Sequence, residues 1–442
     1  MLLDQIFSAI ESLEALFWTY GGVPMLLGLG FYLSCKSGWF QIRQLPTVFS
    51  IFKKFAVQKS NDADRGVKPI HAFFASVGGC VGVGNVIGVC TAVQVGGPGA
   101  VFWMWITALL GMLVKYSEIY LGIKFRIQDK NNSYFGGPMI YLRKVPGGSF
   151  LAPLVSILLC LYGVEIYIFR VLTDSLSEGW GFNFYFVIGL LLFLVLGIGQ
   201  GGVRLVGQLS TYIIPIFLVV FSLMSFWVFA MNVTKIPEVV WSIFAHAFSP
   251  HAAVGAFAGS TIMVSMSHGI KRACYTGDIG VGYASTIHAE TREAVPQKQA
   301  SLGIIDIILD TFIICTLSVF IILLTGTWNQ GISENFVVAE SFALYFPYVH
   351  IIWPFFIFLL GYSSLLAFFA AGRRSAMLLF PKYGSMFYMI FAAIAFLSFS
   401  FVGTLAQCMA VMAIVGMLLL SINLYGLFYL KDEINFDLKS TK

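Results

Sequence analysis

The stretch that decides the fold is SVGGCVGVGN, residues 76–85. It places four glycines within seven positions, in the middle of a long segment that contains no charged residue. Each glycine inside a helix costs about 0.8–1.0 kcal/mol relative to alanine. Close packing between helices would explain Gly78 and Gly82, which lie four residues apart. It explains Gly79 and Gly84 poorly, so we expect a broken helix here, with close packing as the alternative.

The chain around this stretch is poor in charge. Of its 442 residues, 58% are apolar and only 11% are charged, and the mean hydropathy is +0.86. Soluble proteins average about 45–50% apolar and about 25% charged residues. The composition therefore excludes a soluble globular protein, a disordered chain and a secreted disulfide scaffold. It predicts an all-α, polytopic helical membrane protein.

Charge-free segments and the turn residues between them predict about eleven transmembrane helices, because a span needs about 20 apolar residues. The predicted spans are 15–35, 70–95, 100–122, 151–172, 183–200, 207–231, 256–285, 300–325, 350–372, 384–401 and 405–430. The number of spans could differ by one, because the boundaries around 240–285 are not defined by the sequence.

We expect a single transmembrane domain over 1–442. It would comprise an extra N-terminal helix (15–35), a linker (36–69) and two five-helix halves (70–231 and 252–430). Because five is odd, the halves enter the membrane from opposite sides, which is the geometry of an inverted repeat. The halves share no convincing similarity residue by residue.

Basic residues predict the orientation. One set of alternate loops carries 21 of the 26 lysines and arginines; these loops are 36–69, 123–150, 201–206, 286–299, 373–383 and 431–442. The positive-inside rule makes this side cytoplasmic. We therefore expect a multi-pass protein of the inner (plasma) membrane, with the N-terminus outside, and with the linker and the C-terminus in the cytoplasm.

A second glycine-rich run, TGDIGVG at residues 276–282, opens the second half. Non-helical backbone survives at membrane depth only where protein encloses it or where it lines a cavity. Two broken helices that open two halves indicate a binding site near the midplane. Free N–H groups at a half-helix start attract a carboxylate, and free carbonyls attract a cation or an ammonium group. The pair therefore predicts a site for a zwitterion.

Two adjacent hydroxyls lie about half way along the predicted span 350–372. Ser363 and Ser364 could supply two oxygens to Na⁺, a hard cation that prefers oxygen ligands. The alternative is that both hydroxyls bond back to their own helix.

Ionisable residues inside spans are costly, so each is a functional candidate. Lys115 and Glu118 are three residues apart, which predicts a structural ion pair. Glu165 and Arg170 are five apart, so they point about 140° apart on a regular helix. Glu165 is therefore a candidate for a proton-coupling carboxylate. Asp278 would either contact a substrate or cation, or cap the half-helix that follows it.

Cysteines and histidines give no sign of a metal site or a cofactor. The seven cysteines lie in or at the edges of predicted spans, without a Cys-x-x-Cys pair, and the six histidines lack metal-ligand spacing. Two other functions are open to a membrane protein with such a binding site. A polytopic membrane enzyme acting on a lipid would need clustered His, Asp or Glu, and a channel would need a filter segment. We expect no organic cofactor, no nucleic acid and no obligatory protein partner, only membrane lipids and a small substrate.

These motifs resemble a known family, the alanine or glycine:cation symporters. The similar residues are 82–89, 96–112, Lys115, Glu118, 124–126, 136–139, 201–204, Asp310, Thr311, Gly372 and Arg374. The block 96–126 is the most specific part, and the resemblance covers about 70–375. It implies a LeuT-type 5+5 inverted repeat with one extra N-terminal helix here. It also implies Na⁺- or H⁺-coupled uptake of a small neutral amino acid such as alanine or glycine.

The resemblance also implies site residues. A Na⁺ site would use the carbonyls of Gly78, Val81 and Leu360 and the hydroxyls of Ser363 and Ser364. The substrate carboxylate would meet Val83, Gly84 and Asn85, its amino group Thr276, Gly277 and Asp278, and its side chain Phe368.

This chain departs from the family pattern in four places. Val83 replaces a usual threonine, and Phe368 replaces a usual tryptophan. The run at 276–285 differs from the family motif, and residues 165–170 replace a polar pattern in the third core span.

Overall fold

The computed structural model describes residues 2–58, 66–128, 134–248 and 262–438, and most of them are helical. The helices of the first half of the chain are α1 (Leu2–Phe17), α2 (Val23–Lys36), α3 (Phe40–Arg43), α4 (Leu45–Val57), α5 (Pro69–Cys80), α6 (Val89–Gly96), α7 (Ala100–Lys124), α8 (Pro138–Tyr141), α9 (Gly148–Tyr162), α10 (Ile166–Trp180), α11 (Phe184–Gly199), α12 (Gly202–Met231) and α13 (Ile236–Phe248). Those of the second half are α14 (Ile262–Thr276), α15 (Tyr283–His288), α16 (Pro296–Ile307), α17 (Thr316–Thr325), α18 (Val337–Ala343), α19 (Val349–Leu379), α20 (Gly384–Phe401) and α21 (Leu405–Tyr429).

Shorter segments complete the structure. Stretches of π-helix are Trp18–Gly22, Gly84–Gly88 and Ile308–Cys315. Turns of 3₁₀-helix are Leu142–Lys144, Val233–Lys235, Thr327–Asn329 and Lys431–Glu433. Strands β1 (Ile127–Gln128) and β2 (Tyr134–Phe135) form a small antiparallel hairpin.

Eight helical segments among the described residues are long and apolar enough to cross a membrane. They are Phe7–Lys36, Ala100–Lys124, Gly148–Trp180, Gly202–Met231, Pro296–Thr325, Val349–Leu379, Gly384–Phe401 and Leu405–Tyr429. A bent pair, Pro69–Cys80 with Gly84–Gly96, forms one more. The predicted all-α polytopic architecture is confirmed. The count of eleven stays a prediction, because α11 has only 16 residues and the predicted span 256–285 begins outside the described residues.

The N-terminal region contains more helix than the hydropathy pattern predicts. The first span begins well before residue 15, because α1 continues through the π-helical turn into α2. The linker 36–69 carries α3 and α4 instead of being a simple loop. α4 is amphipathic, burying Val48 and Phe55, so it lies against the bundle without crossing it. The division into two halves is not tested by these helices, and it stays a prediction.

The two glycine-rich segments lie at the centre of the bundle. α5 packs against α12 and α19, and α14 packs against α6 and α7. The approach of α12 to α5 is close: a Cβ at Gly207 would lie 2.1 Å from the carbonyl oxygen of His71. α7 is buried along most of its length and contacts both α14 and α16. The packing thus encloses in protein the backbone that the glycines free from regular helix.

Candidate functional site

The first break separates α5 from the π-helix that starts at Gly84. Val81 has a non-helical backbone (φ −75°, ψ 90°), and the two helical parts are bent by 47°. The Gly82 N–H donates to the Asn85 side-chain oxygen at 2.8 Å, which satisfies one of the amides released by the break. The predicted broken helix is confirmed.

The second break separates α14 from α15. Three of its residues have positive φ: Asp278 (+48°), Gly280 (+77°) and Gly282 (+98°). At Gly282 a Cβ would also lie 2.7 Å from the Cγ of Pro138, so both conformation and space require glycine there. Broken helices therefore open both of the predicted halves.

A cavity of about 420 Å³ lies between these breaks. Residues of both breaks line it: Gly79, Cys80, Gly82, Val83, Gly84 and Thr276. Phe368 of α19 adds a wall, with its ring 5.4 Å from the Tyr162 ring and 4.4 Å from the Tyr283 ring. Further lining comes from Glu165, Tyr167 and Ile168 near the start of α10, from His268, Lys271, Arg272 and Tyr275 of α14, and from Glu11 and Glu14 of α1.

Four of the seven predicted substrate residues line this cavity: Val83, Gly84, Thr276 and Phe368. The other three (Asn85, Gly277 and Asp278) are held in contacts behind the wall. The Asp278 carboxylate accepts from the Ala284 N–H in the first turn of α15 at 3.2 Å, which supports the capping interpretation. The roles of all seven in binding stay predictions.

Asn85 joins the first break to the π-helix that follows α16. Its side-chain amide donates to Asp310 and contacts the Cys315 sulfur at 3.3 Å. Asp310 also accepts from the Thr311 hydroxyl at 2.6 Å. Asn85 is thus fixed by partners more than 200 residues away in sequence.

Four of the five predicted cation ligands converge where α5 meets α19. The Ser364 hydroxyl reaches the Gly78 carbonyl at 2.9 Å and the Leu360 carbonyl at 3.2 Å. The Ser363 hydroxyl instead lies 3.0 Å from that of Ser210 on α12. Val81, the fifth, is the first residue after α5. These oxygen ligands fit a hard cation such as Na⁺, and cation binding at them stays a prediction.

The sequence interpretation missed Ser210, which is completely buried beside this cluster. A Cβ added to Gly78 would lie 2.5 Å from the Ser210 hydroxyl oxygen and 2.8 Å from that of Ser363. The signal available was a hydroxyl within the predicted span 207–231, which also carries Gln208, Thr211, Ser222 and Ser225. The packing of α12 on α5 is what brings the Ser210 hydroxyl next to the predicted cation ligands.

The predicted ion pair between Lys115 and Glu118 is wrong. The Lys115 ammonium pairs with Asp306 of α16 at 2.7 Å and donates to the Gly277 carbonyl at 2.8 Å. Glu118 accepts instead from the Asn423 amide at 2.9 Å and from the Gly282 N–H at 3.1 Å. The physical reason is that both side chains point into the bundle, where other helices offer partners with better geometry.

Arg170 and Glu165 point apart as predicted. Arg170 pairs with Asp174 at 2.9 Å and donates to the carbonyls of Ser400 and Gly403. Glu165 remains at the cavity wall.

The sequence interpretation also missed Glu14 of α1. It is buried, pairs with Lys271 at 2.6 Å and accepts from the Trp18 indole at 3.1 Å. The extra N-terminal helix therefore contributes directly to the cavity wall. An acidic residue within an apolar N-terminal segment was the signal for it.

Comparison with known proteins places the chain among transporters. The family described as "Sodium:alanine symporter family" matches residues 3–440. The "Sodium/alanine symporter AgcS" of Methanococcus maripaludis is 28% identical, with 94% of each chain covered. An uncharacterized transporter of Haemophilus influenzae is 34% identical over 75% of this chain and 72% of its own. The "Probable sodium/glutamine symporter GlnT" of Bacillus subtilis is 30% identical over 71% of this chain and 65% of its own.

Solved structures share the fold at low sequence identity. The structure of MhsT in complex with L-phenylalanine has a TM-score of 0.55 at 16% identity, covering 81% of this chain and 89% of that one. A manganese transporter of Eremococcus coleocola has a TM-score of 0.52 at 14% identity, covering 80% and 75%. These likenesses support the LeuT-type fold.

Proposed function

The chain belongs to the sodium:alanine symporter family, and on that premise we propose that it imports a small neutral amino acid, such as alanine or glycine, together with Na⁺. It is a multi-pass membrane transporter and not an enzyme, so the alternative of a lipid-acting enzyme is excluded. Cation-coupled amino-acid symport follows from the family and its relatives. The identity of the amino acid, coupling by Na⁺ rather than H⁺, and the inner-membrane orientation with the N-terminus outside belong to the proposal.

One observation carries the substrate site: both helix breaks contribute walls to the same cavity. Val83 and Gly84 lie where the π-helix of the first break begins, so their amides suit a carboxylate. Thr276 ends α14 in the second break, where freed carbonyls suit an ammonium group. Phe368 and Tyr162 then close the space left for a side chain. The set fits a zwitterion with a small apolar side chain.

Sodium would act at the cluster of Gly78, Leu360, Ser363 and Ser364. Because Gly78 belongs to α5 and both serines belong to α19, a cation bound there ties the broken helix to its neighbour. That fixes the first break and presents its amides to the substrate. Alternating access would then follow from rocking one group of helices against the other around the occupied site.

Counterflow and gradient-driven uptake test this function. The purified protein in liposomes should accumulate labelled L-alanine or glycine when a Na⁺ gradient points inward, and a choline gradient should give no accumulation. Accumulation driven by a proton gradient without Na⁺ would replace Na⁺ by H⁺ in the proposal. Absence of gradient-dependent accumulation across the proteinogenic amino acids would refute it.

The double variant Ser363→Ala with Ser364→Ala tests the cation site. Loss of a hydroxyl ligand is worth about 1–1.5 kcal/mol, so the Na⁺ concentration for half-maximal uptake should rise about tenfold or more. Ser375→Ala is the matched control, because Ser375 lies on the same helix and its hydroxyl donates to the Ala371 carbonyl of that helix. Unchanged Na⁺ activation in the correctly folded double variant would remove the assignment.

A further inference from the structure

Glu165 occupies an unusual place for a carboxylate. It lies in a kink between α9 and α10, in a left-handed conformation with φ +48°. Its side chain lines the cavity while the residue as a whole is only 6% exposed. Within the parts of the chain that the structure describes, no hydrogen bond or ion pair reaches this carboxylate.

Other buried carboxylates of the bundle have partners. Their partners are Lys115 for Asp306, Asn423 for Glu118, Asn85 and Thr311 for Asp310, the Ala284 amide for Asp278, Lys271 for Glu14, and Arg374 for Glu290. Apart from the adjacent Thr311 hydroxyl, each of these contacts joins two different segments of the fold. Glu165 contributes no such contact among the described residues. Its carboxylate therefore has no role in holding the described part of the fold together.

The chemistry of the missing partner follows from where Glu165 lies. A carboxylate withdrawn from water is costly unless a cation or hydrogen-bond donors compensate for it. Here the space in front of it is the substrate cavity, so a group of the substrate can compensate it. Every amino acid carries an α-ammonium group, which supplies a charge and three donors at once.

We propose that Glu165 binds the α-ammonium group of the amino-acid substrate. The proposal rests on the function proposed above and sharpens it. The break amides of Val83 and Gly84 hold the carboxylate end, and Glu165 holds the ammonium end. The substrate class is then amino acids with a free α-amino group, whereas 2-hydroxy acids and N-acylated amino acids are rejected.

The test compares L-alanine with L-lactate, which has the same carbon skeleton and carboxylate but a hydroxyl in place of the ammonium group. Binding of each to the purified full-length chain is measured by thermal stabilisation and by competition against labelled amino-acid uptake. In Glu165→Gln, the affinity for L-alanine should fall about tenfold to a hundredfold, the range expected for a lost charge-assisted hydrogen bond. The affinity for L-lactate, which has no ammonium contact to lose, should not fall, and the Na⁺ activation should stay unchanged.

Two variants serve as controls. Glu178→Gln makes the same change at an exposed position near the end of α10, the helix that follows Glu165, and should bind L-alanine as the wild type does. Glu165→Asp keeps the charge and should retain more L-alanine affinity than Glu165→Gln. This order separates loss of the charge from loss of folding.

Four results would overturn the proposal. Glu165→Gln could bind L-alanine like the wild type. The variant could lose affinity only for amino acids with amide or basic side chains, which would place the contact at the substrate side chain. It could lose Na⁺ activation or the response to a proton gradient while its KM for L-alanine stays unchanged, which would make Glu165 a cation or proton site. Finally, a wild-type chain that binds no amino acid would refute the proposed function and this contact together.

Discussion

Replacing Lys115 by methionine should lower the free energy of unfolding more than the loss of an ion pair at the surface does. The Lys115 ammonium and the Asp306 carboxylate lie 2.7 Å apart, and both side chains are 0% exposed. The same ammonium donates to the Gly277 carbonyl in the second break at 2.8 Å. Methionine keeps the volume of the side chain but removes its charge and all three donors.

The expected cost can be worked from these contacts. Removing one partner of a buried ion pair costs about 3–5 kcal/mol, because the other charge is left uncompensated. The Gly277 carbonyl, left with the weaker Cys80 thiol donor at 3.8 Å, adds about 1–3 kcal/mol. Lys115→Met should therefore lower the free energy of unfolding by about 4 kcal/mol or more, measured by denaturant titration in mixed micelles.

Lys124→Met provides the matched control on the same helix. Lys124 pairs with Glu433 at 2.7 Å, but the two side chains are 31% and 52% exposed, so its loss should cost only about 0–1 kcal/mol. The double variant Lys115→Met with Asp306→Leu removes both buried charges and should recover part of the stability that Lys115→Met loses. If Lys115→Met unfolds like Lys124→Met, or if the double variant is less stable than Lys115→Met, the argument is refuted.

Two more predictions concern the first break and the N-terminal helix. In Gly82→Ala the new Cβ would lie 2.3 Å from the Ser364 hydroxyl oxygen, so the hydroxyl must move and the Na⁺ concentration for half-maximal uptake should rise. Gly189→Ala on α11, where nothing lies within 4 Å, should leave it unchanged, and equal values for the two variants would contradict the predicted cation site. Glu14→Gln weakens the 2.6 Å pair with Lys271 and should lower the midpoint of thermal unfolding. Glu11→Gln, at an exposed position of the same helix, should leave that midpoint unchanged. Equal midpoints for the two variants would show that the pair does not hold α1 in place.

The sequence by itself determined the class of the protein and the location of both breaks. Hydropathy and charge are properties of composition, so 11% charged residues were enough to predict a polytopic helical protein. Glycine acts on its own backbone, so the breaks near Gly82 and Gly282 could be predicted without knowledge of any neighbour. The hydroxyl pair at Ser363 and Ser364 could also be recognised from the sequence, because the two residues are adjacent in an apolar segment.

Tertiary structure alone decided which residues meet. Lys115 pairs with Asp306, 191 positions along the chain, and not with Glu118 one turn away. Ser210 joined the hydroxyl cluster, and Glu14 of the N-terminal helix reached the cavity, because α12 and α1 pack where they do. Inside a bundle with little water, a charged or hydroxyl group is satisfied by whichever partner the packing brings within hydrogen-bond distance. That partner depends on distances between helices, which spacing along the sequence does not encode.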